Sequence, residues 1–265
     1  MSQAAVKQQS GYAAHPGYAI TFEPCAKRLR VMFNGETIAD STTVRLMHET
    51  KHIPVYYIPR ADVRADLLTA TDQGSHCPFK GDASYWTITV GDKSAENAVW
   101  SYTDPYDEVA EIKDYMAFYW DRMDHWFEED EEVFVHARDP YKRIDIVPSS
   151  RPVRVVLGGE TVAASTQALF LYETGLPTRY YIPAGDVTPG LLEATEQATD
   201  CPYKGRARYW SATVGGKTFE NIVWGYVDPV HESAAIKNHL CFFNEKVDGI
   251  FVDGEEIPCS KTPWS

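Results

Sequence analysis

The chain has 265 residues, with 25 basic against 38 acidic side chains and a formal net charge of −13. An acid surplus of that size is repelled by phosphate backbones and anionic headgroups, so nucleic acid and membrane surfaces are poor candidate partners. No apolar run reaches the ~20 residues that span a bilayer, the first ten residues lack the charged and apolar regions of a signal peptide, and a soluble, cytoplasmic protein is expected.

Hydrophobic content of 44% and aromatic content of 13% are enough for packed cores. Five cysteines (Cys25, Cys77, Cys201, Cys241 and Cys259) make an odd count with no Cys-x-x-Cys pair. They read as reduced thiols, and neither a structural zinc site nor any other metal or cofactor is expected from them.

Residues 1–27 show no useful periodicity and read as an N-terminal arm that packs Tyr18 and Phe22 onto the body. From Arg28 the chain aligns with Pro152 onward without a gap, at a constant offset of 124. Gly35-Glu36-Thr37 matches Gly159-Glu160-Thr161, and Tyr56-Tyr57-Ile58-Pro59 matches Tyr180-Tyr181-Ile182-Pro183. Cys77-Pro78-Phe79-Lys80-Gly81 returns as Cys201-Pro202-Tyr203-Lys204-Gly205, each time followed by a Tyr-Trp pair. A repeat this long is domain-sized, which makes the chain a tandem duplication. The first copy spans 28–130 and the second 152–254. Residues 131–151 read as a linker and 255–265 as a tail.

Each copy reads as a small, mainly β antiparallel domain with one short α-helix. Asn34-Gly35 and Gly158-Gly159 mark a tight hairpin, Val55 to Ile58 a strand stopped by Pro59, and Gly91-Asp92 a second hairpin. The helix starts at Asp104 as N-cap with Pro105 next, and carries Val109, Ile112 and Met116 on one face.

Counting back from Gly91-Asp92, Val90 opposes Lys93, Thr87 opposes Glu96 and Tyr85 opposes Ala98. One face then carries Trp86, Ile88, Val90 and Val99, a core. The other carries Tyr85, Thr87, Glu96, Trp100 and Tyr102, and in the second copy Tyr209, Ser211, Glu220, Trp224 and Tyr226. Three large aromatics around a carboxylate read either as a second core layer or inter-domain seam, or as the wall of a ligand pocket. Tyr57 and Tyr181 are further ligand-contact candidates.

Cys77 and Lys80, with Cys201 and Lys204, lie in the Pro- and Gly-bounded loop ahead of that hairpin. A lysine beside a thiol favours the thiolate, and a desolvated lysine can hold a carboxylate or form an imine. Glu49 and Glu173, in apolar surroundings, are candidate general bases or lysine partners. The bland readings are that the loop only shapes a turn and that Lys80 simply pairs with Glu49 or Glu96. His76 precedes Cys77, but Asp200 stands in its place in the second copy. There is no phosphate-cradling Gly-rich loop, Gly-x-Ser-x-Gly elbow or His-Glu-x-x-His helix.

Tyr-Tyr-Ile-Pro, Cys-Pro-Phe/Tyr-Lys-Gly, Tyr-Trp, Glu-Asn-x-x-Trp and Asp-Pro, in this order in both copies, resemble the DUF427 domain family. The resemblance implies a β-tent-like (Mss4-like) fold of two leaning antiparallel sheets over a small-molecule pocket. Three functions follow as expectations: an enzyme of small-molecule, secondary metabolism; a binding module without turnover; or a structural pseudo-dimer of the two repeats with no ligand.

Overall fold

The computed structural model describes residues 9–259 and Thr262. The chain divides into two compact units, 1–139 and 140–265. The first holds β1 (Ile20–Pro24), β2 (Leu29–Phe33), β3 (Glu36–Ser41), β4 (Arg45–Glu49), β5 (Val55–Pro59), β6 (Leu68–Cys77), β7 (Gly81–Val90), β8 (Lys93–Ser101), β9 (Tyr115–Phe118), β10 (His125–Glu128) and β11 (Glu131–Glu132). The second holds β12 (Ile144–Pro148), β13 (Val153–Leu157), β14 (Glu160–Ser165), β15 (Leu169–Glu173), β16 (Arg179–Pro183), β17 (Leu192–Cys201), β18 (Gly205–Val214), β19 (Lys217–Pro229), β20 (His239–Phe242), β21 (Gly249–Val252) and β22 (Glu255–Glu256).

Each unit has one seven-stranded and one four-stranded antiparallel sheet. The large sheet runs β1-β4-β5-β9-β8-β7-β6 in the first unit and β12-β15-β16-β20-β19-β18-β17 in the second. The small sheets, β11-β10-β2-β3 and β14-β13-β21-β22, have the same arrangement. The fold is therefore mainly β and duplicated.

Period-2 patterning explains the packing. Strand β2 buries Leu29, Val31 and Phe33 and leaves Arg30 and Met32 half-exposed. Its buried residues meet Ile58, Ile88, Val99 and Phe118 of the large sheet in one core between the two sheets. The other face of the large sheet carries a second layer: Phe22, Met47, Tyr57, Tyr85, Tyr102, Tyr106 and Ile112. Leu171, Tyr181, Tyr209, Trp224 and Tyr226 repeat it in the second unit.

Three local expectations are corrected. The stretches read as arm and linker contain the edge strands β1 and β12, which pair with β4 and β15, and the stretch read as tail contributes β22, paired with β21. The recurrence of Ile20 and Pro24 as Ile144 and Pro148 at the same offset is the signal that extends each repeat backward.

The expected α-helix is a kinked 3-10 segment, Asp107–Ile112, with Tyr106 rather than Asp104 at its N-cap and a non-helical Val109 at φ −134°. Tyr106 N–H donates to the Lys80 carbonyl (3.2 Å), which ties the segment's start to the loop. Met116, placed on a helix face by periodicity, belongs to β9 and pairs with Ile58. Among the described residues every helical segment is of this 3-10 kind, and none is long and apolar enough to cross a membrane.

The third correction is register. Val90 does oppose Lys93, but a bulge separates Ile88↔Ala95 from Trp86↔Val99, so Tyr85 opposes Trp100 rather than Ala98, and Thr87 does not simply oppose Glu96. Asn97 sits at φ +51° in that bulge, and Asn221 at φ +49° in its twin; asparagine is among the few residues that accept this backbone. Because the slip is by two residues, the sorting of aromatics between faces survives.

Candidate functional site

The Cys-Pro-x-Lys-Gly segment is the turn of the β6–β7 hairpin, with Cys77 opposite Gly81. Gly81 and Gly205 take φ +96° and +95°. A Cβ on Gly205 would stand 3.2 Å from the Asp228 carbonyl, so glycine suits both the dihedral and the close approach of the next backbone segment. The return bond from Tyr106 N–H, or Val230 N–H in the second unit, to the lysine carbonyl then holds the turn down.

This turn drives its lysine inward. Lys80 and Lys204 are 7% and 8% exposed. Lys80 pairs with Glu49 of β4, and Lys204 Nζ lies 2.6 Å from Glu173 Oε2. All four side chains are 11% exposed or less. Among the readings open for Lys80 the structure selects Glu49 as partner. Withdrawing two charges from water costs several kcal/mol per ion. Only close pairing and further hydrogen bonds offset that cost.

The further bonds come from position 18 and its twin. Tyr18 O–H donates to Glu49 Oε1, and its ring stacks on Phe79 with centroids 3.5 Å apart and planes at 7°. Gly11 N–H donates to the Pro78 carbonyl (2.8 Å), and Tyr12 meets Phe79 edge-on at 5.3 Å. Burial, followed by the bond to Glu49, raises the Tyr18 pKa, so the phenol stays a neutral donor. In the second unit the same place is held by Lys142, 3.6 Å from Glu173 Oε1 and 5.9 Å from the Tyr203 ring centroid.

The aromatic candidates surround this pair as packed neighbours. Tyr57 and Tyr181 are fully buried. Burial raises both their pKa values, and Trp224 Nε1–H donates to the Tyr181 hydroxyl at 3.2 Å. Tyr102 and Tyr226 are buried with raised pKa values of the same origin, and the Tyr102 ring lies 5.8 Å from Lys80 Nζ. The hydroxyls of Tyr85 and Tyr209 hydrogen-bond to Ser75 (2.7 Å) and Thr199 (2.8 Å). Trp224 is 8% exposed, while Trp100 is half-buried against Tyr119, 4.7 Å away. The core-layer reading of this face therefore describes most of it.

One pair of candidates falls outside the group. Glu96 and Glu220 are exposed on the bulge, not among the aromatics, because the two extra residues carry them off the strand's regular alternation. Arg206 and Arg208 alternate with the inward Ala207 and Tyr209, and Arg206 faces Asp200 at 3.9 Å. Cys77 and Cys201 are half-buried free thiols, and Cys201 Sγ lies 3.9 Å from Lys204 Nζ. His76 bonds to Asp82 at 2.6 Å on the exposed side of the hairpin. No three His, Cys, Asp or Glu side chains among the described residues are grouped to hold a metal ion. A surface groove of about 510 Å³ on the small sheet of the second unit, lined by Arg154, Ser165 and Phe251, contains no candidate residue.

Sequence reasoning missed Tyr18 and Lys142 as carboxylate partners. Both precede the edge strands, in stretches set aside as arm and linker. Extending the 124-residue offset backward to Ile20 and Ile144 would have placed both inside the repeats, though not against the carboxylates.

The family model described as a domain of unknown function (DUF427) matches the chain twice, over residues 21–129 and 145–253. No curated protein matches the chain.

Proposed function

Since this chain belongs to the DUF427 family and carries two copies of its domain, we propose that each copy is a small-molecule site centred on its buried carboxylate–lysine pair, Glu49–Lys80 and Glu173–Lys204. One observation carries the reading: the same desolvated pair recurs in both copies, under the same glycine-bounded turn. An apolar pair of similar volume would stabilise the layer at least as well, so the retained charges are best explained by chemistry. A strained or costly arrangement is where function is usually found.

The chemistry that fits is acid–base work on a small metabolite, in an enzyme of small-molecule or secondary metabolism. Glu49 or Glu173 takes a proton from the ligand. Lys80 or Lys204 holds the oxygen on which negative charge builds. For that, the ligand must take the place beside the carboxylate now held by Tyr18 in the first copy or Lys142 in the second. The half-buried thiol beside the lysine is a second nucleophile within the same turn. The five free cysteines suit a reducing, cytoplasmic setting.

A non-catalytic binder is the second reading. It is favoured by the packing of Tyr57, Trp100 and Tyr102 around a carboxylate whose two oxygens are both already engaged.

The test is a metabolite screen on the isotope-labelled full-length chain, with amide shifts read at 77–81 and 201–205. Compounds that shift these amides should lose their effect in the double variant Lys80→Met and Lys204→Met. Turnover of a hit, lost in Glu49→Gln and Glu173→Gln, marks an enzyme; binding without turnover marks a binder. Hits that bind the double lysine variant unchanged would refute the site.

A further inference from the structure

The two copies share the inner pair but differ in what closes the carboxylate's other oxygen. In the first copy this is a neutral phenol, Tyr18, stacked flat on Phe79. In the second it is an ammonium, Lys142, above Tyr203. Counting formal charges, Glu49, Lys80 and Tyr18 sum to zero, whereas Glu173, Lys204 and Lys142 carry one net positive charge.

That surplus charge is placed to be used. Lys142 is the outermost of the three, 28% exposed, with Glu173 and Lys204 at 7% and 10% behind it. Its 3.6 Å separation from Glu173 Oε1 is beyond hydrogen-bonding distance, so its N–H donors are not committed to that carboxylate. Lys204, at 2.6 Å, is committed. A partly exposed cation beside a buried ion pair attracts an anion more strongly than one in bulk water.

We propose that position 18/142 determines specificity, and that Lys142 makes the second copy select a small ligand bearing a carboxylate, while the first copy takes an uncharged one. This rests on the reading of both centres as small-molecule sites. A carboxylate fits better than a phosphate monoester because its single negative charge matches a single surplus positive one, whereas the monoester carries about −1.5 to −2 at neutral pH.

The experiment uses the full-length chain with three probes, benzoate, benzamide and inorganic phosphate, followed by amide shifts at 77–81 and 201–205. Benzoate is expected to move residues 201–205 and not 77–81, with binding that weakens as salt is raised. Lys142→Tyr should weaken benzoate at 201–205 at least tenfold and create a benzamide response there, Lys142→Arg should retain benzoate, and Tyr18→Lys should create a benzoate response at 77–81. Equal benzoate responses at both loops, an unaffected Lys142→Tyr variant, or binding of phosphate in place of benzoate would overturn the assignment. Benzamide bound at both loops with no preference for benzoate defeats only the charge assignment. Silence of both loops toward every probe and every compound of the metabolite screen defeats the site reading itself.

Discussion

Around one buried carboxylate the two copies keep the same lysine and change its surroundings: Tyr18 against Lys142, Phe79 against Tyr203, Tyr119 against Phe243. In both, the hairpin turn, its positive-φ glycine and the inward ammonium are superimposable in description. The carboxylate accepts a hydrogen bond from a neutral phenol in one copy and stands 3.6 Å from a second cation in the other. The inner pair is thus a fixed part of the fold, while its charge environment is free to vary through residues ahead of the edge strand.

The largest test of that comparison removes the inner cation. Lys80→Met leaves Glu49 buried with only the Tyr18 phenol, and breaking such a pair costs about 3–5 kcal/mol. Lys204→Met leaves Glu173 beside Lys142, and its cost should be nearer 1–2 kcal/mol. Native-state hydrogen exchange on the full chain reads each unit's slowest amides separately. Equal losses would show that Lys142 does not share the work of neutralising Glu173.

A second difference predicts unequal acid sensitivity. The second copy has a bidentate Arg179–Glu245 pair, at 2.8 and 2.6 Å, where the first has Val55 and Asp121. Burial raises the Glu245 pKa, but bonds from Arg179 and Thr262 outweigh it and bring the group down to about 2, from an ordinary 4.5. A depressed carboxylate contributes stability that is complete above its unfolded pKa and lost as pH falls through its folded one. The second unit should therefore lose stability between about pH 4.5 and 2. Installing the first copy's residues, Arg179→Val with Glu245→Asp, should flatten that dependence. An unchanged acid profile would show that the pair contributes nothing.

The third difference is steric. Gly225 lies so close to β20 that a Cβ would stand 2.8 Å from the His239 carbonyl. Its counterpart Ser101 is buried and donates to the Tyr115 carbonyl at 2.7 Å. Without a side chain, β19 pairs through Gly225↔Leu240, whereas β8 ends at Ser101. Gly225→Ser should destabilise the second unit by about 1–3 kcal/mol, and Ser101→Gly the first by about 1 kcal/mol. Both are measured as unit-resolved exchange rates. A neutral Gly225→Ser would mean that the strands separate without strain.

The sequence made the duplication, the hairpins, the division of aromatics between two faces and the loop legible, because repeats, turn residues and period-2 alternation are local signals. It did not reveal the 3-10 segment, since Val109, Ile112 and Met116 satisfy a helical period while Met116 is claimed by strand pairing with Ile58. Partnership between Glu49 and Tyr18 lies across 31 residues, between β4 and the segment ahead of β1, beyond any local pattern. Exposure of Glu96 was hidden for the opposite reason. A bulge of two extra residues changes what counting from a turn implies.

That bulge also supplies the smallest test, a place where the copies should agree. Asn97 and Asn221 have φ +51° and +49°, and each side-chain oxygen accepts from a threonine, Thr71 or Thr195, at 2.6 Å. Asn97→Ala and Asn221→Ala place a Cβ-bearing, non-bonding residue in left-handed backbone, at about 1–2 kcal/mol each. Replacement by glycine recovers the dihedral but not the bond and should cost about half as much. Because backbone and partner coincide in the two copies, the losses should match to within about 0.5 kcal/mol by unit-resolved exchange. A marked inequality would mean that the charged surroundings of the two sites reach the bulge, and that the shared frame is less independent of the variable shell than its geometry indicates.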